Sequence, residues 1–574
     1  MSNSVSILFP DIENVKYNQL SAVTCHDLGL DAICKQLAAN EKEEKLIMSV
    51  LSNLSSDSRV AGYRAEVFED MINLPSMRNN MKELLDQVQM LKDFGIMKRE
   101  FDKKSGLWDL LHRLDEIKDY INCVEAISDC LSANDIKSEG LLNLKAFVNS
   151  IIEDPSFEGM KKDIEALKAD TSSLQSITVG INLNSRFEAE SIGLISVNNQ
   201  KFKSSGILSN FTEALTSKGG ISQGNDWNGD MHYHDIDGKS LTPFKTVEKF
   251  AGLMALQQTP LVDRRTSDSI GNIPANGGEE SPFYLDQVIS KMLNHLVKNL
   301  KEVLSKYVTV AVANITGLIP EFVYYIRTSE FIEKLKEKNY SFCIPTPIDK
   351  NNNSGFMDAK GIYNLKLASS GVCSAEEIVV NDLIFDKENM IYILTGANRG
   401  GKTTITQAVG LCYVMAQGGI YVPADSFCYV PIDAIYTHFP ADEDKTMDLG
   451  RLGEECTRFK ELYNSATEDS LVLMNETFST TSFEEGYYIA VDSVKALLSK
   501  GVRTIYNTHM HKLAYDLDSI NSEEYNSKAK SLVMKSDEGK RSFKVAVAPP
   551  EGMSYAVDIA RKYGVTYDML TGNN

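Results

Sequence analysis

The stretch IYILTGANRGGKTT, residues 391–404, decides the fold of the C-terminal part of this chain. An apolar run typical of a buried strand leads into a glycine-rich turn, and a helix-compatible run follows it. Glycine has no Cβ, so such a turn can aim several backbone N–H groups at one anion. The spacing G-x-x-x-x-G-K-T over Gly396–Thr403 therefore predicts a phosphate-binding loop, and the alternative is a glycine-rich turn that binds no ligand.

The side chains at the end of this turn predict a nucleotide with a magnesium ion. Lys402 can reach the outer phosphates, and the hydroxyl of Thr403 can ligate the metal. The expected cofactors are therefore ATP and Mg²⁺. The candidate ATP-binding residues of the loop are Gly396, Ala397, Asn398, Arg399, Gly400, Gly401, Lys402, Thr403 and Thr404.

Composition limits the class of protein but not its partner. The chain has 574 residues, 43% of them hydrophobic, which is enough for roughly two to four globular domains. Its N-terminus does not resemble a secretory signal, no apolar run is long enough to span a membrane, and nine scattered cysteines without a C-x-x-C pair are typical of reduced thiols. We therefore expect a cytoplasmic protein. The net charge of −20 argues against a broadly basic nucleic-acid surface, but it is compatible with a local basic patch or a clamp around DNA.

Hydrophobic periodicity divides the chain into four parts. Residues 1–175 are predicted to form a helical core. Residues 176–282 begin with strand-like alternation and continue into a loop-rich insertion, which we interpret as clamp-like. Residues 283–345 are predicted to form lever or core helices, and residues 355–574 a P-loop ATPase domain. The predicted fold class is α plus α/β.

The insertion contains two histidines that could bind a metal. His232 and His234 are two positions apart with aspartates nearby, and alternate residues of a strand share one face. A solvated polar loop is the preferred interpretation, because no further ligand is suitably spaced.

Two strand-like runs end in residues that suit phosphate chemistry. The run SLVLMNE, 470–476, ends in Asn475 and Glu476, where P-loop ATPases place a carboxylate of the magnesium shell and then a glutamate that activates the attacking water. Asn475 can still hold a magnesium-bound water but adds no charge, which predicts weaker metal binding or slower turnover. The run VRTIYNTH, 502–509, ends in His509, whose ring can hydrogen-bond the terminal phosphate.

Two other segments add candidates. In AQGGIYVPAD, 416–425, Gln417 is a candidate for contact with the metal or the attacking water. The segment DLGRLGEEC, 448–456, opens a helix whose first N–H groups can meet an anion, and its distance in sequence from the loop suggests that it serves a second subunit. The predicted catalytic residues are Lys402, Glu476 and His509, and the predicted metal-binding residues are Thr403, Asn475 and Gln417.

These segments together resemble the MutS family of mismatch-repair ATPases, which belongs to the ABC-type superclass. TGANRGGKTT at 395–404 is similar to the family's TGPNMGGKST, NSATEDSLVLMNET at 464–477 to NATxxSLVLMDEI, and YNTHMHKL at 506–513 to ATHYHEL. Upstream, GYRAEVFEDM at 62–71 resembles RYRQEVFEDL of the family's core domain.

The resemblance implies a homodimer with two composite ATP sites. Gly450 stands where the family's trans-acting signature serine stands, and Arg451 is a candidate substitute for the lost hydroxyl contact. Ile378 occupies the position of an aromatic residue that stacks on adenine, so apolar packing would replace stacking there. No counterpart of the family's N-terminal mismatch-reading domain precedes the core.

The resemblance also implies DNA as a partner, because the family's core and levers encircle a duplex. DNA mismatch repair or the recognition of structured DNA is the expected role. The net charge and the missing mismatch reader favour the alternative, an ATP-driven dimerising switch that binds a protein partner and not DNA. No membrane partner is expected.

Overall fold

The structure of this chain, a computed structural model, describes most of the sequence in separate stretches. They are residues 5–95, 107–171, 176–183, 185–186, 189–198, 294–306, 318–350, 355–397, 399–440, 450–523, 525, 527–537, 540–550, 561 and 563–571. His232 and His234, and most of the predicted insertion with them, lie outside the described residues. Among the described helices, none combines the length and apolarity that crossing a bilayer requires.

The N-terminal part is helical, as its apolar periodicity predicts. Ser21 caps the first helix with its hydroxyl, and Gly29, with φ at 73°, ends that helix and begins the next. Pro75 begins a longer helix, at a position where a helix needs no N–H donor. The elements are β1 (Asn18–Gln19), α1 (Ala22–Leu28), α2 (Leu30–Leu37), α3 (Glu41–Leu51), β2 (Asn53–Leu54), α4 (Ser58–Asn73), α5 (Pro75–Gly95), α6 (Leu107–Ser132), α7 (Glu139–Ile152) and α8 (Pro155–Thr171).

A hairpin and two described helices follow. The strands pair antiparallel from Ser176↔Asn198 to Leu183↔Ala189, which confirms the strand prediction for this stretch. Of the long helix predicted from residue 283, the described part begins at Asn294. The elements are β3 (Ser176–Leu183), β4 (Ala189–Asn198), α9 (Asn294–Ser305) and α10 (Ile319–Lys336).

The C-terminal part is α/β. The elements are β5 (Pro345–Pro347), β6 (Met357–Ile362), α11 (Leu365–Ser369), β7 (Asn381–Phe385), β8 (Ile391–Thr395), α12 (Lys402–Gln417), β9 (Ser426–Tyr429), β10 (Ile435–His438), α13 (Gly450–Ser465), β11 (Leu471–Asn475), α14 (Phe483–Lys500), β12 (Arg503–Asn507), α15 (His511–Tyr515), α16 (Leu517–Ile520), β13 (Ala529–Asp537), β14 (Lys540–Val547) and α17 (Tyr567–Thr571). A six-stranded sheet has the order β10-β11-β12-β8-β13-β14, and a four-stranded sheet has the order β5-β9-β6-β7.

The central strands of the six-stranded sheet are buried along their whole length. β8, β11 and β12 have no exposed or half-buried residue, and each pairs in parallel with its neighbours. Continuous apolar runs are typical of parallel strands that are covered on both faces. Arg503 is the charged residue in these strands: it is fully buried, and its guanidinium donates to the carbonyls of Val430 and Asp469 at 3.2 and 2.6 Å.

Chain contacts divide the described residues into two compact units. One comprises Met1–Leu85, Asp129–Phe147 and Gly317–Asn574, and the other comprises Asp86–Ser128 and Val148–Thr316. The sequence-based division differs, because it placed residues 1–175 in one helical core apart from the ATPase domain. Segments that are helical by pattern and distant in sequence therefore share one core with the six-stranded sheet.

The buried guanidinium of Arg64 holds this first unit together. It donates to the carbonyl oxygens of Leu8 and Gln417, both at 2.9 Å, and so links the N-terminal segment, α4 and the end of α12. These two bonds satisfy Nε and Nη1, while Nη2 is buried without a hydrogen-bond partner among the described residues. Gly419 allows the backbone to pass close to Arg64, because a Cβ at position 419 would lie 2.2 Å from the Cβ of Arg64.

A buried histidine connects β10 to α13. His438 ends β10, and its Nε2 donates to the carbonyl of Glu455 at 3.1 Å, while its Nδ1 contacts the hydroxyl of Thr477 at 3.1 Å. Burial, followed by the nearby charge of Arg458, lowers the pKa of His438 from 6.5 to about 4. The ring is therefore neutral near pH 7 and serves as a packing and hydrogen-bonding group.

We predict that Gly419→Ala destabilises the first unit by about 3 kcal/mol or more, through backbone strain and steric overlap with Arg64. Gly371→Ala is the matched control, because Gly371 has φ at 72° but open space around its Cβ position. The control should lose only about 1 kcal/mol, from backbone strain. Thermal unfolding of both variants measures the difference, and equal losses would contradict the role assigned to Gly419.

We also predict that the protein loses stability in acid because His438 becomes protonated on unfolding. Since the folded pKa of about 4 lies below the unfolded value of 6.5, the unfolded chain binds the additional proton between these pH values. Protonation of His438 therefore does not reduce the free energy of unfolding above pH 6.5, but reduces it by about 3 kcal/mol as the pH approaches 4. Comparing the thermal midpoints of the wild type and His438→Gln across this range checks it. If both proteins lose stability in parallel, His438 is not the group responsible.

Candidate functional site

The predicted phosphate-binding loop lies between β8 and α12. Gly396 has φ at 139° and Gly401 has φ at 96°, values that L-residues rarely adopt. A Cβ at Gly396 would also lie 2.7 Å from the side chain of Met534 on β13. Lys402 begins α12, and its ammonium donates to the carbonyls of Gly396 and Ala397 at 3.0 and 3.3 Å. The loop thus surrounds the side chain of Lys402, and the first backbone N–H groups of α12 point into the same loop.

A cavity of about 480 Å³ opens beside this loop. It combines polar residues of the loop and of the β11 end with apolar residues from the segments before β7 and in β14. Burial lowers the pKa of Lys402, and the carboxylate of Glu476 opposes that shift. The predicted site residues in the cavity wall are Ile378, Arg399, Gly400, Gly401, Lys402, Thr403, Thr404 and Glu476.

Sequence reasoning missed the aromatic residue in this wall. Phe543 lies in β14 with φ at 55°, and its ring faces Gly401, whose Cβ would lie 3.2 Å from it. Asn381 holds the strand in place: its amide donates to the carbonyl of Phe543 at 3.2 Å and accepts from the N–H of Val545 at 2.8 Å. No local motif marks Phe543, because its position depends on a contact across 162 residues.

Glu476 and His509 meet at the carboxyl ends of β11 and β12. Nε2 of His509 lies 2.7 Å from Oε1 of Glu476. Glu476 has the left-handed value of 52° for φ, and its N–H donates to the carbonyl of Asn507 at 2.8 Å. A non-glycine residue in this conformation is strained and is common at functional sites. The structure therefore gives His509 a contact with the glutamate, and its contact with a phosphate stays a prediction.

The predicted metal-binding residues Thr403 and Asn475 are in contact. The hydroxyl of Thr403 donates to Oδ1 of Asn475 at 3.2 Å. Both groups present the hard oxygen atoms that Mg²⁺ prefers, but neither is charged. Among the residues that the structure describes, no cluster of three or more histidine, cysteine, aspartate or glutamate side chains could hold a metal ion. These residues fit a magnesium ion that arrives with phosphate oxygens, with Thr403 as ligand and Asn475 behind it.

Gln417 does not reach this site, which corrects its prediction as a contact to metal or water. It is buried at the far end of α12, and its amide nitrogen donates to the carbonyls of Ser55 and Ile432, both at 2.9 Å. Its amide oxygen accepts from the N–H of Ile432 at 2.9 Å. A helix rises about 1.5 Å per residue, so the length of α12 separates Gln417 from Thr403. Gln417 therefore stabilises the fold by joining the end of α12 to Ser55 and Ile432.

The predicted signature residues lie outside the cavity wall. Gly450 begins α13 with φ at 67°, and no described atom lies within 4 Å of its Cβ position. Arg451 follows it in the first turn. Asn398, predicted as part of the loop, lies outside the described residues. Within the part of the chain that the structure describes, Gly450 and Arg451 are therefore not among the residues that line the cavity beside the loop.

Known proteins match this chain in two places. Residues 56–338 match the family model described as MutS2 N-terminal domain, and residues 392–572 match the model described as MutS domain V. The second match contains the loop, Glu476 and His509.

Individual relatives match over shorter stretches. The chain is 28% identical over 197 residues to Endonuclease MutS2 of Thermus thermophilus, covering 34% of this chain and 25% of that protein. It is 26% identical over 258 residues to Endonuclease MutS2 of Finegoldia magna, covering 44% and 32%. It is 33% identical over 164 residues to DNA mismatch repair protein MutS of Macrococcus caseolyticus, covering 27% and 19%. The chain therefore aligns with a third or less of the length of these relatives. The two domain matches and the relatives agree, and the chain belongs to the MutS family.

Proposed function

We propose that this chain binds ATP with Mg²⁺ in the cavity beside the loop and hydrolyses it. The main support for this proposal is that one cavity of about 480 Å³ is lined by Lys402, Thr403 and Glu476 together. These residues come from the loop and from a different strand end, so their meeting is a property of the fold and not of one motif. The nucleotide supplies the phosphoanhydride bond, and the chain supplies the groups that bind and orient it.

Each side chain has a chemical task in this proposal. Lys402 neutralises phosphate charge, and an anion in the loop favours its charged form over the neutral form that burial favours. Thr403 ligates the metal. Glu476 orients a water molecule and accepts its proton, while His509, 2.7 Å away, holds the carboxylate in place. Ile378 and Phe543 provide the apolar wall for the base.

A second copy of the chain completes the site in this proposal. Gly450 and Arg451 do not line the cavity of their own chain, and among the described residues no atom lies within 4 Å of the Cβ position of Gly450. The first N–H groups of α13 can meet the terminal phosphate of a nucleotide held by a partner copy. Gly450 and Arg451 would act in trans, and nucleotide binding would therefore promote dimerisation.

DNA is the proposed partner of the dimer. The names of two relatives, DNA mismatch repair protein MutS and Endonuclease MutS2, support DNA as the class of partner. The net charge of −20 supports the second candidate, an ATP-dependent dimerising switch that binds a protein and not DNA.

We predict that Lys402→Ala abolishes binding of ATP, because the phosphate charge then lacks its buried cation. Glu476→Ala should keep the affinity for ATP but lower turnover by about a hundredfold or more, which is typical for loss of a general base. Binding of a fluorescent ATP analogue and steady-state phosphate release measure the two effects.

Glu476→Ala should also accumulate as a dimer with ATP, and light scattering after size exclusion measures this. Gln417→Ala is the control for effects of folding alone, since its amide bonds lie away from the cavity. Full turnover in Glu476→Ala would remove that residue from the proposed mechanism. A wild type that stays monomeric with ATP would contradict the action of Gly450 and Arg451 in trans.

For DNA we predict salt-dependent binding in the presence of ATP. A protein that neutralises phosphates releases counterions, so affinity should fall steeply as salt rises. Fluorescence anisotropy with duplex, mismatched and junction DNA measures both the slope and the preferred form. If none of the three binds at low salt with ATP, the protein-partner switch replaces the DNA proposal.

A further inference from the structure

Two asparagines face each other under the phosphate-binding loop. Asn475 ends β11 and Asn507 ends β12, and the parallel register places them opposite each other. Asn507 is fully buried, and Asn475 nearly so. The amide nitrogen of Asn507 donates to Oδ1 of Asn475, and the hydroxyl of Thr403 donates to the same oxygen at 3.2 Å. One amide oxygen therefore receives two hydrogen bonds.

The direction of these bonds decides what Thr403 can do. A threonine hydroxyl has one proton and two acceptor lone pairs. When its proton is bound to Asn475, one lone pair accepts a long hydrogen bond from the amide nitrogen of Asn507 at 3.4 Å, and the other is available to a cation. If the amide of Asn475 were reversed, its NH₂ group would donate to Thr403, and the hydroxyl proton would point away from Asn475. A hydroxyl in that orientation is a poor ligand for a metal ion.

Burial around Asn507 favours the first direction. Its Oδ1 is buried and has no hydrogen-bond partner among the described residues. If the amide of Asn507 were reversed, its NH₂ group would occupy that position. An unpaired buried N–H is rarer in proteins than an unpaired carbonyl oxygen, and either one costs about 1–3 kcal/mol. The NH₂ group of Asn507 therefore points to Asn475, and this fixes the acceptor oxygen of Asn475 between Asn507 and Thr403.

We infer that Asn507 is a positioning residue for the magnesium ion that accompanies ATP. Its amide orients Asn475 and also donates to the hydroxyl of Thr403, and Asn475 in turn holds the proton of Thr403, so that one hydroxyl lone pair is left for the cation. This role rests on the proposed function, because it concerns the metal that a bound nucleotide would bring. It does not depend on charge, since both amides are neutral at every pH at which the chain is folded.

Two variants that add the same charge test this role. Asn475→Asp places only acceptor oxygens at 475 and keeps the direction of the bonds. Asn507→Asp has nearly the same shape but removes the donor, so Asn475 must turn its NH₂ group toward 507. Charge alone would strengthen Mg²⁺ binding in both variants, whereas the proposed orientation predicts opposite effects.

The readout is the increase in affinity for a fluorescent ATP analogue when Mg²⁺ is added, measured against affinity in EDTA. Asn475→Asp should keep or enlarge this increase. Asn507→Asp should reduce it by about tenfold or more, which is typical when a group that orients a metal ligand is changed. Binding of Mn²⁺ to the nucleotide complex, followed by electron paramagnetic resonance, gives the same comparison without turnover.

An uncharged substitution, tested alone and in the background of Asn475→Asp, guards against a folding defect. Asn507→Leu removes the donor without adding charge and should also reduce the Mg²⁺ effect. In the background of Asn475→Asp the same change should reduce it much less, because a carboxylate cannot be reversed. The double-mutant cycle measures this coupling. Thermal unfolding identifies any variant that does not fold.

The outcomes separate this inference from the proposed function. If the wild type binds no nucleotide, both fail. If the wild type binds nucleotide with a Mg²⁺ effect and Asn507→Asp binds Mg²⁺ as well as Asn475→Asp does, charge sets the affinity and Asn507 has no positioning role. If Asn475→Asp loses the effect and Asn507→Asp keeps it, the bonds run in the opposite direction and the inference is wrong.

Discussion

The parallel pairing of β12 with β8 on one edge and β11 on the other is the constraint on which the site depends. The carboxyl ends of these strands share one edge of the sheet, so the loop after β8 meets Glu476 after β11 and His509 after β12. The side-chain period of a strand is two, and a slip of one residue would turn these side chains to the other face. Burial of every residue in the three strands fixes the register.

The strained backbone after β11 is held by packing against α13. Glu476 and Phe478 have φ at 52° and 60°, conformations that persist only where surrounding contacts determine them. Phe478 packs edge to face on Phe459 of α13, with ring centroids 5.7 Å apart, and His438 joins the same strand end to that helix. The helix that we propose to act on a partner's nucleotide and the glutamate that acts on its own thus belong to one packed unit.

The sequence predicts the parts of this structure that local chemistry determines. The glycine spacing of the loop, the apolar runs of β8, β11 and β12, and the helical pattern before residue 175 each carry their own signal. Gln417 lacked such a signal: its partners, Ser55 and Ile432, come from distant segments, and a motif position could not show that both ends of its amide are occupied.

Asn507 and Phe543 were missed for a related physical reason. Asn507 lies within a strand pattern, and its role depends on the cross-strand register with Asn475. Phe543 reaches the cavity because Asn381 holds its strand there. The union of Met1–Leu85 with the C-terminal part likewise depends on Arg64, whose acceptors are backbone carbonyls that no side-chain pattern reveals.

In the proposed function, we expect the lack of a carboxylate at position 475 to change the balance between nucleotide binding and turnover. A carboxylate there would attract a divalent cation but repel the phosphates that carry it. With the neutral amide of Asn475, phosphate oxygens and Thr403 would hold the cation, and phosphates near Lys402 would meet less repulsion. Stabilising the transition state needs charge neutralisation at the transferred phosphoryl group, so we expect turnover to lose more than binding. A nucleotide-bound state that lasts longer than it would with a carboxylate is the property that a dimerising switch requires, because its partner must bind before hydrolysis ends that state.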